Sequence, residues 1–205
     1  MTDGLDETAA VGLAGVEART GRGSALRAVR PSDTPWIYAQ ATGSHVSHRW
    51  RLRGTSISPS AFEQFLWQDV QTQMIAESTS MRDRLGLFQF FAHDPMSGHG
   101  HLSALVPSER MRSGWPVEAL VMFADMIFET WDIRKLYFEC MSLVADDFAS
   151  AVGELLVEEG RLKAHHYWND RYWDNCIYAM YRDTWRVHRH RLTPPSSPGR
   201  GSDSP

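Results

Sequence analysis

The chain has 205 residues, a formal net charge of −4 and a 42% hydrophobic content. That length suits one domain around a single core, and the mild negative balance gives no electrostatic footprint for nucleic acid. No apolar run is long enough to cross a membrane and nothing reads as a secretory leader, so the two distant cysteines, Cys140 and Cys176, suit reduced thiols in the cytoplasm.

Residues 1–23 show no strong periodicity, and residues 188–205 are rich in Pro, Ser and Gly beyond Pro194. Both read as disordered tails, because they have little apolar surface to bury, and leave residues 24–187 as the folded unit. Residues 26–30 alternate as a short strand, and Pro31, Ser32 and Asp33 signal a helix carrying Trp36 and Ile37. The cationic stretch 45–53 (HVSHRWRLR) has no clean period; it reads as a solvated connector or as a loop over a cleft. Ser58 and Pro59 open a second helix with Phe62, Phe65, Leu66 and Val70 on its buried side. Strands follow at 72–76, 85–92 and 99–106, separated by polar turns.

Residues 117–131 form the clearest element. Val117, Leu120, Val121, Ala124, Ile127, Phe128 and Trp131 repeat at helical spacing, which leaves Glu118, Asp125 and Glu129 for the other face. Arg110 and Arg112 flank the loop that enters this helix, Ser113 or Gly114 can cap it and Pro116 suits its first position. Such a loop is either a capped surface turn or a phosphate cradle, since free amides and the helix dipole both attract anions.

A strand at 135–140 must run parallel to the strand at 99–106, as in any strand-helix-strand unit with short connections. Asp146 can cap a helix with Phe148, Val152, Leu155 and Leu156 on one face. A long aromatic hairpin, 157–167 and 172–181 about a turn at Asn169 and Asp170, closes the unit. The expected class is α/β (α+β): a mixed sheet with helices on both faces.

This order resembles the GNAT acyltransferase superfamily, and within it the ribosomal-protein alanine N-acetyltransferase branch. Residues 26–33, the Glu118-Ala119-Leu120 run, and the C-terminal set Glu159-Gly160-Arg161-Leu162, Tyr172-Trp173-Asp174 and Asp183-Thr184-Trp185 carry the resemblance. It implies a mostly antiparallel sheet whose fourth and fifth strands, here 99–106 and 135–140, splay apart around the pantetheine arm of acetyl-CoA. It also implies acetyl transfer to a primary amine of a small molecule or a peptide N-terminus. Leu105, Val106, Met111, Arg112, Ser113, Gly114, Trp115 and Ser150 stand at the family's cofactor positions. Of the family's loop pattern only Gly114 is kept, and Pro116 removes one amide from the cradle. The same fold therefore also suits a ligand- or partner-binding module, or a transferase with another acyl donor.

Residues read on their own terms add candidates. His99, His101, Ser103 and Leu105 share one strand face. His101 is a base or a hydrogen-bonded structural histidine, and Ser103 lies beside it. His99 and His101 have metal-site spacing but no evident third ligand, so no metal is expected. Glu139 is a carboxylate in an apolar strand, which needs a partner or a cleft; it reads as a general base or as a structural acceptor. His165, His166 and the hairpin aromatics pack across strands, stack on a ligand or form a homodimer contact.

Overall fold

The computed structural model describes residues 18–43, 47–111, 113–148 and 151–192. Eight strands form one sheet: β1 (Arg19–Thr20), β2 (Ser24–Ala28), β3 (Val70–Ser78), β4 (Arg84–Asp94), β5 (His99–Leu105), β6 (Lys135–Met141), β7 (Val157–Trp168) and β8 (Arg171–Tyr181). Their spatial order is β1-β2-β3-β4-β5-β6-β8-β7. Every neighbouring pair is antiparallel except β5 and β6, which run parallel, as a crossover through a helix requires.

The helices are α1 (Thr34–Thr42), α2 (Pro59–Trp67), α3 (Trp115–Thr130) and α4 (Arg182–His188). Period-2 alternation along β4 sends Phe88 and Phe90 to one side and Leu87 to the other. Phe88 and Phe90 pack with Phe123, Ile127 and Trp185 in the core under α3 and α4. Leu87 joins Ile37, Phe62, Leu66, Ile75 and Leu105 under α1 and α2. The sheet is thus covered on both faces, as expected.

Several elements differ from expectation. The strand expected at residues 26–30 is β2, two residues earlier: the chain leaves the sheet after Ala28 and turns so that the Asp33 carboxylate is fully buried between Arg27 and Arg84. Val70 opens β3 instead of completing the α2 stripe. Among the described residues no α-helix starts at Asp146. Ser142–Phe148 is a 3-10 turn, Gly153 adopts φ +92°, and Val152 bridges Leu156, so the chain reverses where a helix would need continued αR geometry.

Two further elements lie outside residues 24–187. β1 pairs with β2, and α4 runs on into a 3-10 turn, Arg189–Arg191. Arg189 pairs with Asp125, and Arg191 with Glu154. Glu118, expected on the solvent side of α3, is buried. Its carboxylate accepts the amides of Arg22, Gly23 and Ser24 and the Ser24 hydroxyl, at 2.7–3.1 Å. Burial alone would raise its pKa; these donors outweigh that and lower it.

Candidate functional site

The parallel pairing of β5 with β6 is short. It holds at His99 with Lys135, Gly100 with Leu136 and His101 with Tyr137, after which the strands diverge. Backbone groups on the facing edges lose their ladder partners there. A cavity of about 850 Å³ fills the gap, large enough for a ligand of cofactor size. Leu102, Ala104 and Val106 line one wall, with Phe138 and Cys140 opposite. Met111, Pro116, Val117 and Leu120 line the end toward α3.

At the other end a polar network closes the cavity. Glu139 lies 3.6 Å from His101 Nδ1 and 3.7 Å from the Arg53 guanidinium. Asn175 donates to Glu139 at 2.8 Å and meets His166 Nε2 at 3.2 Å; Arg53 in turn contacts His166 at 2.7 Å. Burial lowers the pKa of His101, opposed by Glu139 and aided by His99. Burial and the neighbouring Arg53 charge lower that of His166 in the same way. Both imidazoles are therefore neutral at neutral pH and can accept a proton. Burial first, then Cys176, pushes the Cys140 thiol up to about 12, so Cys140 is no nucleophile.

His101, Ser103 and Glu139 all line this cavity, as do Val106 and Met111. Leu105 does not; its side chain is fully buried under α1 and α2. Gly114 caps α3 with φ +78°, and the Trp115 ring rests on the backbone of Gly23, away from the cavity. Ser113 bonds back to the Arg110 carbonyl through both amide and hydroxyl. Arg112 and Ser150 lie outside the described residues. The amides of Arg110, Met111 and Ser113 each bond within the loop, and Arg110 is held by Asp83 at 3.0 Å. The loop thus keeps its place at the N-terminus of α3 while turning three amides inward.

The segment before α2 covers the cleft. His48, Arg49, Arg51 and Arg53 line the cavity. His48 stacks on Trp168 at 4.9 Å, which seats the segment against the β7-β8 hairpin. Arg49 pairs with Asp147 across the opening. Arg53, His166 and Asn175 line the cavity; the sequence offers His166 only as a packing, stacking or dimer-contact residue and does not single out Arg53 or Asn175. The signal for Arg53 is the cationic stretch 45–53, read as a solvated connector or as a loop over a cleft. Among the described residues no cluster of three or more His, Cys, Asp or Glu side chains could hold a metal.

A mixed sheet with one splayed parallel pair, opening beside the N-terminus of the crossover helix, is an architecture this chain shares with solved structures of N-acetyltransferases. The chain has the GNAT fold. It superposes with a TM-score of 0.69 on spermidine N-acetyltransferase from Vibrio cholerae in complex with CoA and spermine, at 16% identity, covering 80% of this chain and 98% of that one. A GCN5-related N-acetyltransferase from Brucella melitensis gives 0.67 at 16% identity, covering 89% and 88%. A GNAT-family acetyltransferase from Bacillus anthracis gives 0.64 at 12%, covering 82% and 99%. No family model and no curated protein sequence matches the chain. No helix among the described residues is long and apolar enough to cross a membrane.

Proposed function

We propose that the protein is an N-acyltransferase that moves an acetyl group from acetyl-CoA to a primary amine of a small molecule or peptide N-terminus. The observation that carries this is the β5-β6 splay, which ends pairing at His101 and Tyr137 and opens a cavity through the sheet. A thioester lying along the unpaired strand edges brings its carbonyl to backbone donors and the polar network. The acceptor enters from the Arg53 side. Glu139 and neutral His101 stand where an ammonium must lose its proton before attack; the amine nitrogen then bonds to the carbonyl carbon and the thiolate leaves. The Vibrio cholerae structure, which holds CoA and spermine, supports both an acyl-CoA donor and an amine acceptor. Two free buried cysteines agree with a cytoplasmic setting.

The test is titration calorimetry with acetyl-CoA and with CoA, followed by thiol release over an amine panel. Saturable binding that disappears in Ala104→Trp, which fills the splay, is the expected result. Absence of binding to the wild-type chain overturns the reading.

A second reading has its own observation. Pro116 and the inward-turned amides of Arg110, Met111 and Ser113 leave less backbone for a pyrophosphate than the family loop offers. This favours a different acyl donor, or a binding module that transfers nothing. Comparing acetyl-CoA with longer acyl-CoAs and a carrier-protein thioester in one thiol-release assay separates these.

A further inference from the structure

The acceptor end of the cavity is cationic. Arg49, Arg51 and Arg53 line it, against two carboxylates, Glu139 and Asp147. Burial lowers the pKa of His48, His101 and His166, so none adds charge at neutral pH. Asp147 and Arg49 neutralise each other across the opening. Among the groups that line the cavity, this leaves one carboxylate, Glu139, with two guanidinium groups, those of Arg51 and Arg53.

Neither guanidinium is fully matched. Arg53 stands 3.7 Å from Glu139, beyond hydrogen-bond length, and shares that carboxylate with His101 and Asn175. Arg51 has no ion pair among the described residues. Its Nη2 donates to the Gln68 carbonyl at 3.0 Å, and its Nη1 is sealed from solvent without a hydrogen-bond partner. The guanidinium lies over the rings of Phe65 and Phe91, at 4.9 and 4.5 Å. Burial lowers its pKa, opposed by the charge of Asp69, and a guanidinium stays charged through such a shift. A desolvated, incompletely paired cation beside a cavity is unfavourable until an anion joins it.

Taking the proposed acyl transfer as its basis, we infer that the acceptor carries an anionic group, a carboxylate or a phosphate, close to the amine that is acylated. The amine sits at Glu139 and the anion lies between Arg51 and Arg53, for which the planar guanidinium is the suited partner. A polyamine meets the opposite environment: once one ammonium occupies Glu139, the next faces arginines.

Two measurements test this on the full chain. Saturation-transfer NMR without any CoA compares glycine with glycinamide, and O-phosphoethanolamine with ethanolamine, with spermidine as the polycation. The same amines are then compared by thiol release at saturating acetyl-CoA. Anionic amines are expected to bind and react about tenfold to a hundredfold better than their neutralised partners, and the glycine and phosphoethanolamine arms tell carboxylate from phosphate. Arg53→Gln, at a half-exposed site where folding is not at stake, is expected to raise KM for anionic amines about tenfold or more and leave acetyl-CoA affinity unchanged. Arg53→Lys should restore part of the loss. Equal or better binding of spermidine or glycinamide overturns the inference, whether or not turnover occurs. Loss of acetyl-CoA binding by the wild-type chain overturns the proposed function instead, because the CoA-free NMR comparison is read without it.

Discussion

Asn175 on β8 donates its side-chain amide to Oε2 of Glu139 on β6 at 2.8 Å, while Oε1 of the same carboxylate faces His101 Nδ1 at 3.6 Å. The carboxylate is thus anchored from one side and left to work on the other. A group held this way keeps its orientation without being consumed by a close ion pair.

Glu139→Gln should therefore lower kcat about 100-fold, the ordinary worth of a positioned base. The glutamine oxygen still accepts from Asn175, so the circular-dichroism spectrum and urea midpoint should stay near wild type. Thiol-release kinetics check the first expectation. A variant that keeps full kcat would move the proton-accepting role to His101 alone.

The pH profile follows from the histidines. Burial holds the pKa of His101 below its ordinary value, so it stays neutral as pH falls through 6.5, the usual histidine value. Activity should hold through that range and decline only below it. Stability behaves differently. Between the unfolded and folded pKa values the unfolded chain takes up protons that the folded chain refuses, at His48, His101 and His166. Stability is therefore full above about 6.5 and lost as pH falls through the lowered folded values. A second loss lies lower. Burial would raise Glu159, but Lys135, Tyr181 and Tyr137 donate to it and hold it at about 2, so its contribution is present above about 4.3 and lost toward 2. Urea midpoints across pH should show both limbs, and Glu159→Gln should weaken only the lower one.

Glu118→Ala should destabilise the protein by about 2–4 kcal/mol. The mutation leaves the amides of Arg22, Gly23 and Ser24 without their acceptor at a buried site and frees β1 from α3. Equilibrium unfolding measures the loss. Glu118→Gln should recover part of it, since an amide oxygen still accepts.

Glu118 also shows where the sequence was hard to read. Helical period correctly placed Val121, Ala124, Ile127 and Phe128 in the core, but period alone sends any charged residue to solvent. Its four donors come from a segment more than 90 residues earlier, where nothing local marks them. The strand at 85–92 was legible from its aromatic content and the strand at 99–106 from its alternation. The turn at Asn169 and Asp170 was legible from residue type, and both adopt positive φ, which suits a tight hairpin. The helix expected after Asp146 failed because Leu155 and Leu156 are buried through chain reversal rather than helical spacing. In the site, His101 and Glu139 stood out as polar residues within apolar strands. Arg53 and Asn175 did not, and His166 stood out only for packing, stacking or a dimer contact, because their polar roles arise only when three distant elements meet.

Cys140 on β6 lies directly opposite Cys176 on β8, and both are free and buried. Although Cys140 borders the cavity, its thiol is pushed up to about 12, by burial first and by Cys176 next. Almost no thiolate exists at about pH 8, and only the thiolate attacks an alkylating agent. Iodoacetamide should label neither cysteine of the folded chain at an appreciable rate, Cys140 for want of thiolate and Cys176 because it is fully buried, and both rapidly in denaturant, as read by intact-protein mass spectrometry. Rapid native labelling confined to Cys140 would show that the splayed strands open further than this geometry, enough to hydrate the thiol. Acetyl-CoA should then slow the labelling if it occupies the gap, which makes the same experiment a direct probe of what lies between β5 and β6.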